Sequence, residues 1–493
     1  MITPVESIVS LLQTQLEARN SDIVARRNSV ISDAYLLPAA AALSWNSAIM
    51  EFTRSVSALD TILLAKTDTV LQASVAEVLG LSIDGVLQLL TAAIDRAGTD
   101  MGLTRKAAQS ATGLVFFYVN SAPSADLYVP AGTQVETAQG VVFSTSTEIV
   151  LLKDLVSGFY DPAINAYAVS TPVTAAVAGS TGNVPAESVI YPVASLPAGF
   201  AGLINKYDIT NGYEAETDEE YVARIKLTRR GSNLETKDGM AALILNNTTV
   251  RNVFIADAQS PYQLRNSGKG GVVDIYTTDS IPAAVADVQA YASSELVLEH
   301  QPVLEITSVR LSDNSITYTE GTDYILVKDT NVLSRNSARA QDMIRWITST
   351  GIHPGVGVSY TVDYVYNQAV EHIQTLLTTD NYRPLMGDVS TAVLAREGIQ
   401  VPVEVSFQVV IYGSYSATTV RNEAITNVQA YINALGFGAN LAQSDVINVI
   451  ENTPGVNYVN TTPLAFNRVG SAIEQNITAL DYEYIRVSSV EIL

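Results

Sequence analysis

"VPAGTQVETAQGVVFSTSTEIVL", Val129 to Leu151, is the stretch on which the fold turns. A Pro-Ala-Gly turn leads into two runs in which β-branched and aromatic residues alternate with polar ones, the period of a half-buried strand. The same period extends outward on both sides. "GLVFFYVNS" begins at Gly113, and "STPVTAAVAGSTGNVPAESV" follows with another pair of strands broken at Gly-Asn. Residues 113–205 therefore read as a β-rich domain.

Upstream, residues 1–112 are rich in Ala, Leu, Ile, Val and Gln and poor in Gly and Pro, a helical composition. Trp45, Ile49, Phe52, Val56, Leu59 and Leu63 recur at alternating spacings of four and three, which lays one apolar stripe along a helix. Val9, Leu16, Ile23, Val30 and Leu37 recur every seven residues, while the companion seam gives way after Leu12 to Arg19, Arg26 and Asp33. Two readings of these helices stand side by side: an internal core face, or a face that meets helices of another chain.

Downstream, Thr217 and Glu220 have the spacing of a capping box, with Asp218 and Glu219 at the positive end of the helix dipole and Arg224, Lys226, Arg229 and Arg230 toward the other end. Gly231 can end that helix. Dipole complementarity accounts for "RIKLTRR" without nucleic acid. "KDGMAALILNN" predicts a helix, "VRNVFIAD" and "GGVVDIYTT" strands, and "AVADVQAYASSEL" a helix. The letters VQAY return at Val428 to Tyr431, again after a strand, so the sequence offers two α+β units, 206–302 and 368–493. Between them, 303–367 reads as a β-rich insertion, whose last strand sets Tyr360, Val362, Tyr364 and Tyr366 on one face. The expected fold class is multidomain α+β.

The 493 residues carry 50 acids against 28 bases, a formal charge of -22. With no long basic run, phosphate backbones and anionic membranes are poor partners. The absence of cysteine removes disulfides and thiolate chemistry. Glu6 precedes the first base, Arg19, so no secretory signal is expected, and "AYLLPAAAALSW" is too short to span a membrane. A soluble protein is expected.

Catalytic equipment is thin. His300, His353 and His372 are scattered, and no HExxH or GxSxG motif occurs. "NSGKGGVVDIY", Asn266 to Tyr276, lacks the glycine spacing, the Ser/Thr after lysine and the following helix of a phosphate loop. No catalytic residue, cofactor or metal is expected.

Several separated stretches resemble the baseplate J-like family, wedge components of contractile bacteriophage tails and related injection machines. They are the Val129–Leu151 strand pair, "VTAAVAGSTGNVPAESV", "ETDEEYVARIK", "VRNVFIAD" with "GGVVDIY", and the segment from "VSFQVVIYG" to "TPGVNYV". The likeness covers roughly 100–300 and 400–460. It implies a structural role: copies join other wedge proteins into a ring around the tail hub, relaying host attachment to sheath contraction. It implies as partners other copies of the chain, wedge proteins bundled with the N-terminal helices, and tail hub and sheath-proximal proteins. The virion tail baseplate, assembled in the host cytoplasm, is the implied location. A tail-associated glycan hydrolase and a host-surface adhesin are the alternatives.

Overall fold

A computed structural model describes residues 5–19, 36–56, 58–233, 236–256, 260, 272–328, 342–349, 351–378 and 392–493. The chain divides into two compact units, Met1–Lys106 with Glu216–Arg230, and Ala107–Ala215 with Gly231–Leu493. The fold is multidomain α+β, with a helical N-terminal region.

The first unit is helical: α1 (Val5–Arg19), α2 (Leu37–Ser55), α3 (Leu59–Thr67), α4 (Thr69–Leu79), α5 (Ile83–Thr99) and α6 (Asp218–Arg230). Its core gathers Leu59, Ile62, Leu71, Val75, Val86, Leu90 and Ile94 around Tyr221, Val222 and Ile225 of α6. Local signals set the helix ends. Asp68 accepts from the amides of Val70 and Leu71, Ser82 accepts from Gly85, and Gly80 closes α4 at φ +66°. The capping box at α6 forms as the sequence predicts: Thr217 N–H donates to Glu220 Oε2 at 2.9 Å, and Glu220 N–H donates to Thr217 Oγ1 at 3.2 Å. Positions 23, 30, 26 and 33 of the heptad reading lie outside the described residues.

The second unit opens with a seven-stranded antiparallel sheet. Its strands include β1 (Ser110–Val119), β2 (Gln134–Thr137), β3 (Val142–Thr145), β4 (Ala166–Ala178), β5 (Val189–Pro192) and β6 (Gly202–Ile204), ordered β5-β2-β3-β4-β1-β6, with Tyr160–Asp161 also on β4. The opening stretch supplies β2 and β3, paired Val135 to Phe143, with Gly132 turning at φ +81° before them. The edges β5 and β6 approach each other, and Asn205 joins them. Its carbonyl accepts from Glu187 N–H at 2.7 Å, its Oδ1 accepts from Val189 N–H at 2.8 Å, and its Nδ2 donates to the Pro185 and Tyr207 carbonyls. A wholly buried side-chain amide thus replaces a strand ladder at the seam.

β1 is buried on both faces, which explains the unbroken apolar run in "GLVFFYV". Val115, Phe117 and Val119 enter the barrel core with Val135, Phe143 and Val173, while Leu114 and Phe116 lie against Val365 outside it.

Beyond the barrel, α7 (Lys237–Asn247), β7 (Val253–Ala256) and β8 (Val272–Thr277) begin an α+β unit. The predicted helix at "AVADVQAYASSEL" is a strand, β9 (Pro282–Ala290), followed by a short strand at Glu295–Val297. Alanine content favours a helix locally, but β9 pairs along its whole length with β11 (Ser359–Asn367), Ala283 opposite Tyr366 through Ala290 opposite Ser359. The two VQAY copies therefore occupy a strand and a helix, so the echo is not a structural repeat. β11 also pairs with β10 (Val303–Leu311). Tyr360, Val362, Tyr364 and Tyr366 point into the insertion core around Trp346, as read, yet the other face is covered too: Val365 packs on the barrel and Asp363 pairs with Arg310.

α8 (Gln368–Thr378) and β12 (Ala392–Glu397) share one core with α7, β7 and β8: Met240, Ile244, Ile255, Ile275, Val370, Ile373 and Val393. The first α+β unit is thus discontinuous in sequence, with the insertion looping out between β8 and α8. β12 lies parallel to β8 and runs through Gly398 into β13 (Ile399–Phe407). β13 belongs to a second sheet, between β14 (Ala465–Arg468) and the parallel β15 (Glu483–Ile492), covered by α9 (Ala417–Asn433) and α10 (Gln443–Glu451). At Gly398 a Cβ would come 2.5 Å from the Phe437 ring. Only glycine lets one strand cross from sheet to sheet there.

Candidate assembly interface

The predicted stripe is divided by a break between α2 and α3. Val56 ends the first helix and Ala58, extended at φ -142°, begins the second. Leu59 enters the core of the first unit at 9% exposure, and Phe52, Val56 and Leu63 pack half-buried against that core. Trp45 and Ile49 remain outside, 46% and 41% exposed. The structure therefore brings four of the six residues to an internal core and leaves two on the surface.

Small residues make this possible. α2 buries Ala40, Ser44, Ala48 and Ser55, a small-residue seam at spacings of four, four and seven, and leaves several bulky side chains exposed. In addition to Trp45 and Ile49, Leu43 and Met50 on α2, Leu64 on α3 and Val70 on α4 are exposed, Met50 at 72%. Sequence reasoning missed these four. Their signal was present in α2 as large apolar residues off the stripe, on a helix whose small-residue seam could be read as the buried side.

The polar groups of this unit are occupied in holding it together. Glu216 and Arg224 form a two-pronged ion pair, Nε to Oε1 and Nη2 to Oε2 both at 2.7 Å, with side chains 3% and 8% exposed. Arg224 Nη2 also donates to the Thr104 carbonyl. Lys226 pairs with Asp60, and Asp218 is held by Lys66 and Arg105. Burial works to raise the Asp218 carboxyl, but hydrogen bonds and charge from Lys66, then Arg105, win and hold it below the usual range. The basic cluster of α6 thus spends Arg224 and Lys226 on intramolecular contacts.

Elsewhere, His300 Nδ1 lies 3.1 and 3.2 Å from the Glu371 oxygens, its ring stacked on Tyr366. His353 stacks on Tyr291, and His372 lines a cleft of about 410 Å³ beside α8. Burial raises the Glu397 carboxyl, against hydrogen bonds from Asn367 and Tyr484. Among the described residues no group of three or more acids and histidines has the arrangement of a metal site. The Gly-Lys loop before β8 lies outside the described residues. No single helix among the described residues is long and apolar enough to cross a membrane; α4 and α5 together reach that composition but are bent by 102°.

Residues 115–212 match the family described as the Baseplate J-like protein barrel domain, the span that contains the sheet closed by Asn205. Among solved structures, the chain is similar to one in the cryo-EM structure of the anti-feeding prophage (AFP) baseplate, 6-fold symmetrised. Identity is 12%, the alignment covers 99% of this chain and 100% of that one, and the TM-score is 0.30, too low to establish a shared arrangement. No curated protein matches the chain significantly.

Proposed function

We propose that this chain, whose residues 115–212 match the Baseplate J-like protein barrel domain, is a structural component of a contractile tail baseplate wedge. The barrel match is the observation that carries this reading. Copies of the chain join other wedge proteins into a ring around the tail hub, and the ring relays host attachment to sheath contraction. The N-terminal unit supplies the joint to a neighbouring wedge protein through Trp45, Ile49 and other exposed apolar residues of α2 to α4. An exposed apolar surface rimmed by polar residues is the usual mark of a protein partner. Hub and sheath-proximal proteins meet other surfaces of the chain, and the assembled baseplate is its location.

Electron microscopy of particles labelled with an antibody against residues 113–493 tests the assignment. Label confined to the end plate of contractile tails is the expected result. Protein absent from particles and free in the cell extract overturns it. Binding of the isolated chain to host cells would instead favour an adhesin, and carboxylate-dependent glycan cleavage a hydrolase.

A further inference from the structure

One cation on the barrel wall stands between two carboxylates. Lys206 Nζ lies 2.7 Å from Asp161 Oδ2 and 2.7 and 2.8 Å from Glu305 Oε2 and Oε1. The three side chains retain 13%, 16% and 28% exposure. Beneath them the Phe116 ring centroid is 5.0 Å from Nζ, in a cluster with Leu114, Val365 and Leu304. Burial pushes up the neighbouring Tyr207 phenol, and the charges of Glu305 and Asp161 add to that effect.

The two carboxylates are held differently. Glu305 offers both oxygens to the ammonium, which places two proton acceptors against Nζ. Asp161 touches Nζ with one oxygen only. Its other oxygen, Oδ1, accepts from the Ala163 N–H at 2.9 Å, so a donor already faces the atom on which negative charge would develop.

We propose that Lys206 and Asp161 condense into an intramolecular isopeptide bond, with Glu305 as the proton carrier. One ammonium proton passes to Asp161 Oδ2, making the acid, and the neutral amine attacks Cγ. Glu305 takes a proton from the nitrogen of the tetrahedral adduct and returns it to Oδ2, which leaves as water. A C–N bond forms and a C–O bond breaks. Ammonium plus carboxylate becomes amide plus one water, with no oxidant or co-reactant, and Glu305 ends as it began. Holding both partners in contact lowers the barrier to condensation, with effective concentrations on the order of 10⁵–10⁸ M reached by well-oriented intramolecular pairs. The link would tie Asp161, before β4, to Lys206, two residues after β6, a staple across the barrel in a chain without cysteine.

Intact-mass and peptide-mapping spectrometry on the full chain tests this. The wild-type protein is expected to be lighter by one water, resistant to trypsin after Lys206, and to yield one joined peptide containing Asp161 and Lys206. Glu305→Ala should restore the full mass and the cleavage, with its folded state checked by circular dichroism. A wild-type chain at full mass shows an ordinary ion pair and overturns the proposal, whatever the variant does. So does a water loss that survives Glu305→Ala or maps to another residue pair.

Discussion

Gly98 on α5 faces the phenol of Tyr221 on α6 so closely that a Cβ on Gly98 would lie 2.0 Å from the tyrosine oxygen. Tyr221 cannot yield: it is 1% exposed and its hydroxyl donates to the Leu103 carbonyl at 2.9 Å. Gly98→Ala should therefore destabilise the helical unit by about 1–3 kcal/mol, although alanine favours helix on propensity alone. Chemical denaturation monitored by far-ultraviolet circular dichroism reads the difference. A stabilised variant would mean that α5 and α6 shift apart at little cost.

Asn205 holds the barrel seam with three side-chain hydrogen bonds in a fully buried position. Asn205→Ala leaves the Val189 amide and two carbonyls without these partners, a loss of roughly 2–4 kcal/mol. Hydrogen exchange should show the Val189 amide losing protection before the amides of β1 and β4. Equal loss throughout the sheet would indicate that the seam opens only with the whole barrel.

Asp218 makes the helical unit sensitive to acid. Its carboxyl sits below the ordinary aspartate range in the folded chain, where burial would raise it but Lys66 and Arg105 hold it down. The unfolded chain therefore binds the proton first as pH falls. The stability this group contributes is complete above the unfolded chain's carboxylate pKa and is lost as pH drops through the lower, folded one. Urea midpoints of Asp218→Asn between neutral pH and pH 2 should show a shallower acid loss than wild type. Parallel curves would remove Asp218 as the cause.

Trp45 and Ile49 are the residues at which the partner face can be tested without unfolding the unit. Both are exposed, so Trp45→Asp with Ile49→Asp should change stability by less than about 1 kcal/mol while abolishing co-purification with the neighbouring baseplate protein. Leu59→Asp is the contrasting case. It places a charge in the unit's own core and should unfold it. Undiminished association of the double variant would exclude this face as the joint.

Much of this arrangement was legible in residue order because the deciding signals were local. The turn at Gly132, the strands around Val135 and Phe143 and the cap at Thr217 each depend on a few neighbours in sequence. What was not legible depended on distant chain. Pairing with β11 made a strand of the alanine-rich 282–290, and barrel-facing Val365 covered a strand that reads as half-buried. The stripe from Trp45 to Leu63 was visible as a period, but periodicity carries no sign of the break after Ser55, which sends its two ends to different environments. Asn205 gave no signal, since a seam-closing amide and a loop asparagine look alike until β5 and β6 meet.

The strand that passes through Gly398 has a mechanical meaning. β12 and β13 are one continuous backbone, and each is laid parallel to its partner in a separate sheet. Tension applied along that backbone reaches both ladders as shear, loading their hydrogen bonds together instead of unzipping them in turn. The two α+β layers are thus joined by a single covalent tie, at a position where the Phe437 ring admits no side chain.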